Sequence, residues 1–232
     1  MSEPRQRTTD RLAVVLLASA EPAAVLGHLG RQLDAAGAND LVRARLVDTI
    51  SGLIRLDGVN LAIAADAAEL PGLSRVVPSG FDLMTTDAPV TSPSAIAGTV
   101  RALLDRRFAR VVAILPGSVP LPARIVATAL AVGASVDLTI GGMPGGRCYL
   151  VGARDHQSAT AIGEGEELSV AAVRLIAEQR GLTVGLAEPR RLLDDFSDLD
   201  ALRVFVETNT ELCPEMWHWF SSNAAAVSGS ST

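Results

Sequence analysis

Three short stretches of this chain carry residue types that suit a charged small molecule. Gly117 and Ser118 lie in a Leu-Pro-Gly-Ser-Val-Pro turn that directly follows an apolar run. Gly145, Gly146 and Arg147 form a glycine loop ahead of another apolar run, and Asp194, Asp195, Asp198 and Asp200 make the densest acidic cluster. A glycine lets backbone approach a phosphate or base closely. A serine hydroxyl can bond a phosphate oxygen, and the arginine fork matches phosphate with paired donors. Clustered carboxylates suit a hard cation. Each feature also has a plain structural use. Paired glycines make tight turns, Ser118 is placed to cap a helix near Leu121, and Arg147 can simply be solvated. Carboxylates ahead of a helix are favoured by its dipole.

Composition removes several other chemistries. All 20 basic residues are arginine, so the chain has no lysine for a P-loop or a Schiff base. Two cysteines, Cys148 and Cys213, give no disulfide framework, and Cys148 reads as an inert thiol inside an apolar strand. His28, His156 and His218 are scattered, with no metal-ligand spacing. A net charge of −6 without a basic run argues against a nucleic-acid partner. The mean hydropathy of +0.30 is high, yet no apolar run reaches the roughly 20 residues of a membrane span. The segment LAVVLLASA, from Leu12, has the look of a signal-peptide core or a first central strand; we read it as the strand and expect a cytoplasmic protein.

The elements that would position these residues follow from pattern. Leu12 to Ala18, Val59 to Ala65 and Val111 to Leu115 are continuous apolar runs, the mark of strands covered on both faces. Phe81 to Thr85 and Leu182 to Leu186 predict shorter strands, and two more flank the glycine loop. Leu41, Val42, Leu46, Ile50, Leu53 and Ile54 recur at helical spacing, with Asn39 and Asp40 as expected caps. Further helices are predicted from Ser92 to Phe108, from Glu167 to Arg180 and from Asp198, while Ala153 to Glu166 reads as a mobile loop. Alternating strands and helices imply an α/β fold, a three-layer αβα sandwich around a mostly parallel sheet. We expect a disordered stretch at 1–10, one domain over 11–210, and an aromatic segment with a flexible tail at 211–232.

Taken in order, several of these residues resemble the GT-A-like, nucleotide-diphospho-sugar-transferase superfamily. Leu46, Asp48 and Thr49 match its helix signature, Gly117, Ser118 and Pro120 its turn, and Gly145, Gly146, Tyr149, Leu150 and Gly152 its glycine loop and strand. Asp195 matches the first aspartate of its late motif. The nearest group is the rSAM/selenodomain-associated glycosyltransferase-like proteins. The resemblance implies a nucleotide or nucleotide-sugar ligand, held by Gly117, Ser118, Gly145, Gly146, Arg147 and Asp195. It also implies Mg²⁺ or Mn²⁺ as cofactor wherever transfer activity persists. The departures fall on chemistry: Gly30 and Gln32 stand at the family's basic positions, and Gly117, Pro144 and Ser197 at its acidic ones. A metal-assisted reaction needs those carboxylates to neutralise a diphosphate leaving group. The expectation is therefore a weak or inactive site, a pseudoenzyme, or else a non-catalytic binding module.

Outside the matched scaffold, Trp217, Trp219 and Phe220 fall within four residues, behind a helix start at Pro214 and Glu215. Clustered tryptophans mark interfaces. The segment is read as a terminal helix packed on the domain, as a contact with a protein partner or a second copy, or as a peptide that is itself modified.

Overall fold

A computed structural model describes residues 11–143 and 146–223. The expectations placed on residues 1–10, on Pro144 and Gly145, and on the tail from 224 lie outside them. In chain order the elements are β1 (Leu12–Leu17), α1 (Pro22–Leu26), a 3₁₀ turn (Gly27–Gln32), α2 (Ala35–Leu53), β2 (Val59–Asp66), α3 (Leu70–Leu73) and β3 (Phe81–Thr86). Then come α4 (Pro93–Asp105), β4 (Arg110–Ile114), α5 (Ala123–Val132), β5 (Leu138–Gly142), β6 (Cys148–Ala153), α6 (His156–Gly163) and α7 (Val170–Gln179). The chain finishes with β7 (Val184–Leu186), a 3₁₀ turn (Leu193–Asp195), α8 (Leu199–Thr208) and α9 (Pro214–Ser222).

The strands form one sheet in the order β3-β2-β1-β4-β6-β5-β7. Only β6 runs against its neighbours, antiparallel to both β4 and β5. The LAVVLLASA segment is the central strand β1, flanked by β2 and β4 with Ala13 to Leu17 wholly buried. Its side chains alternate between two cores, as strand geometry requires. Val14 and Leu16 face a core built with α2, α5, α8 and α9. Ala13, Val15 and Leu17 face the other, built with α4, α6 and α7. This is the expected three-layer sandwich.

Helix starts follow local capping chemistry. The side chains of Asp34, Ser92, Ser169 and Asp198 accept from the backbone N–H of Gly37, Ala95, Ala172 and Ala201. Helix α2 thus begins before the expected caps Asn39 and Asp40, which sit exposed within its first turns. The stretch read as a mobile loop contains α6. Asp155 caps it, accepting from the Ser158 N–H at 2.8 Å and its hydroxyl at 2.7 Å. Gly163 then lets it pack tightly on α4, since a Cβ there would lie 2.9 Å from that of Ala97.

Candidate functional site

The chain leaves β1 toward β2 and β3 on one side of the sheet, while β4 lies on the other. Loops at such a reversal diverge beyond the carboxyl ends of the strands and leave a crevice there. A cleft of ≈ 240 Å³ occupies that place. Val25 and Gly27 line it after β1, and Leu115, Pro116 and Gly117 after β4. Because β6 is reversed, its start also reaches this edge, which brings Arg147 and Cys148 to the cleft. Glu166, Glu167 and Asp194 complete its polar rim. A larger hollow of ≈ 620 Å³ lies beside Asp48, Arg55 and Arg124, away from the reversal point.

Asp194 is the most heavily engaged group of the cleft. Its Oδ1 accepts from the His28 backbone N–H at 2.9 Å and lies 2.7 Å from His28 Nδ1. Its Oδ2 accepts from an Arg147 guanidinium nitrogen at 2.7 Å. His28 Nε2 in turn lies 3.2 Å from the Ser197 carbonyl oxygen, which can only accept. Both ring nitrogens therefore face acceptors, and the hydrogen bond to Asp194, then that to Ser197, raises the imidazole pKa above its ordinary 6.5. Burial alone would raise the Asp194 carboxyl. The His28 N–H, the His28 ring and the Arg147 charge override it and hold the carboxyl below its ordinary value. The close approach depends on Gly27, which has φ +56° and ψ −126°. A Cβ there would stand 2.0 Å from Asp194 Oδ1.

The sequence candidates divide around this centre. Gly117 and Arg147 line the cleft, and the Gly146 N–H donates to the Met143 carbonyl at 2.9 Å. Ser118 is wholly buried; its hydroxyl accepts from Arg45 at 2.8 Å, and α5 starts beyond it with Pro122 as the residue before the first turn. Arg45 also donates to the carbonyls of Ser118 at 2.9 Å and Leu115 at 3.3 Å, so it pins the loop that carries Gly117. Asp195 turns away from the cleft and accepts from the Leu192 N–H at 2.7 Å. Gln32, at a position the family makes basic, accepts from the Leu199 N–H at 3.2 Å and so holds the start of α8.

Asp48 of the helix signature accepts from the backbone N–H of Glu215 at 2.9 Å and of Met216 at 3.0 Å, capping α9 from across the core. Trp219 and Phe220 are buried with α9 against the first core, and Trp217 is partly buried beside them. Sequence reasoning set His28 aside as isolated, since its partner lies at the far end of the chain. The preceding Gly27 was the one local sign of a close approach.

No protein-family model matches the chain, and no curated protein matches it by sequence. Solved structures do. A protein named as a candidate nucleotide-diphospho-sugar transferase from Desulfovibrio desulfuricans G20 superposes with a TM-score of 0.76 at 20% identity, over 93% of this chain and 96% of its own. The chain has the nucleotide-diphospho-sugar transferase fold. The 4-diphosphocytidyl-2C-methyl-D-erythritol synthase of Anaerococcus prevotii DSM 20548 shares this fold with a TM-score of 0.56 at 9% identity, over 87% of this chain and 96% of its own. So does Rv0371C of Mycobacterium tuberculosis H37Rv, solved in complex with manganese, with a TM-score of 0.52 at 16% identity over 86% and 100%.

The manganese in the last of these structures belongs to that protein. Among the described residues, no three His, Cys, Asp or Glu side chains converge on a point that would hold a metal ion. The cleft's Asp194 has both its oxygens engaged, one by His28 and one by Arg147.

Proposed function

We propose that this chain binds a nucleotide or nucleotide-sugar in the cleft between β1 and β4, and that metal-assisted transfer is lost or much reduced. The fold and the position of the cleft support the ligand class. One observation supports the loss of chemistry: both oxygens of the Asp194 carboxylate are engaged by His28 and Arg147, where a transferase would need acids free to hold a metal. The order of matched motifs supports a finer kinship with the rSAM-associated glycosyltransferase-like group. A cytoplasmic setting goes with this reading, as does the finding that no helix among the described residues is long and apolar enough to cross a membrane.

The test is a thermal-unfolding panel of CTP, UDP-sugars and CDP-sugars, each with Mn²⁺ and with EDTA. Ligand at a hundred times its dissociation constant should stabilise the fold by about 2.7 kcal/mol, and EDTA should leave that gain intact. Absence of any nucleotide response, or turnover that depends on Mn²⁺, would defeat the reading. Association through the C-terminal segment now rests on Trp217, the least buried of its aromatics, and sedimentation of Trp217→Ala against the unmodified chain tests it.

A further inference from the structure

The contacts of Asp194 have the form of an occupied anion site. A backbone N–H, an imidazole nitrogen and a guanidinium nitrogen converge on one carboxylate at 2.9, 2.7 and 2.7 Å. The recess they surround exists because Gly27 has no side chain: the position of its missing Cβ is 2.0 Å from Asp194 Oδ1. A guanidinium and an imidazole N–H beside a backbone N–H are a donor set that suits phosphate oxygens, and a phosphate can accept from all three.

Meanwhile the backbone that carries Asp194 is fastened independently of its side chain. The Leu193 N–H donates to the Gly117 carbonyl at 2.8 Å, the Leu192 N–H donates to Asp195 at 2.7 Å, and Leu193 itself is fully buried. Rotation of the Asp194 side chain alone would empty the recess. That side chain is already 30% exposed, so solvent lies open to it.

We propose that His28, Arg147 and the Gly27 recess form a binding site for a phosphate or diphosphate group, and that Asp194 is a built-in competitor which fills it until such a ligand arrives. The assignment rests on the reading of the cleft given above and adds its regulation: the chain holds its own anion in place of the ligand's. A nucleotide's phosphates and free pyrophosphate present the same chemistry, so both serve as probes, with cytidine as the ligand lacking phosphate.

The experiment is calorimetric titration of pyrophosphate, CTP and cytidine into the unmodified chain, Asp194→Asn, and Asp194→Asn combined with Arg147→Ala. If the free recess is populated a tenth of the time, emptying it raises apparent affinity about tenfold. Asp194→Asn should therefore bind pyrophosphate and CTP about tenfold tighter than the unmodified chain, leave cytidine unchanged, and lose the gain when Arg147 is removed. A second measurement needs no variant. In the unmodified chain, saturating pyrophosphate should move the Asp194 carboxyl titration, followed by ¹³C NMR, back up toward that of an ordinary aspartate. Equal or weaker binding by Asp194→Asn, or a carboxyl titration that stays depressed with pyrophosphate bound, overturns the competitor. If CTP binds the unmodified chain and the variant gains nothing, the competitor falls and the cleft reading stands. A gain for pyrophosphate with no CTP binding to either chain upholds the anion site and defeats the nucleotide reading. No binding of any probe defeats both.

Discussion

Arg45 is a guanidinium placed wholly inside the protein, and burial lowers its pKa to about 10, which still leaves it charged at neutral pH. It satisfies three oxygens of the loop that carries Gly117. Arg45→Met would strand those acceptors, at a cost of about 2–3 kcal/mol, read as a lower urea midpoint. Asp48, one turn further along α2, gives a pH dependence whose sign can be worked out. Desolvation, only partly offset by the N–H groups of Met216 and Glu215, raises its pKa to about 6 in the folded chain against 3.8 unfolded. Between these values the folded state keeps a proton that the unfolded state has released, so stability falls as pH rises through that window. Unfolding free energies at pH 4 to 7 should show the difference between the native chain and Asp48→Asn shrinking by about 2 kcal/mol. The residue scale is also where the sequence was least legible. Gly117 and Arg147 line the cleft, whereas Ser118 and Asp195 are engaged elsewhere, by the Arg45 side chain and the Leu192 N–H. The centre at Asp194 and His28 is made by contacts across the whole chain, which no local pattern encodes.

The helices show how far pattern carries and where packing takes over. The apolar spacing from Leu41 to Leu53 is that of an amphipathic helix, and α2 buries those positions in the first core. Helix α6 is short, with Ala159, Ala161 and Ile162 as its buried apolar face, and the Asp155 cap and the close approach of Gly163 to Ala97 fix its place. Gly163→Val should force α4 and α6 apart and lower the melting temperature, since overpacking costs about 1–3 kcal/mol. The aromatic segment divides the same way. Phe220 is buried and packs edge-on against Trp219 at a centroid distance of 4.9 Å, so Phe220→Ala should cost about 3–5 kcal/mol in chemical denaturation. Trp217→Ala, at a partly buried site, should cost less than about 1.5 kcal/mol. An effect of Trp219→Ala on association would thus have to be separated from its effect on folding.

For the molecule as a whole, the strands were legible as apolar runs and their lateral order was not. Pairing across the sheet depends on crossovers, and the reversal of β6 has no mark in its own residues. That reversal nonetheless delivers Arg147 to the carboxyl edge of the sheet. The sheet also separates the two free thiols: Cys213 lies in the core beneath α2 and α9, Cys148 in the core beneath α4, α6 and α7. Burial raises both to about 12, so neither is a nucleophile in the folded chain. Ellman's reagent should find both unreactive natively and both reactive in denaturant. Matching exposure rates across increasing urea would mean that the two layers open together. The glycine at 27 carries the same lesson through evolutionary time. One volume is shared by a missing methyl and a distant acid, so a descendant that acquires a side chain at 27 must turn the acid at 194 out of that volume and fill the pocket itself. Kin that keep the glycine and lose the acid should be the ones whose anion pocket stands permanently open.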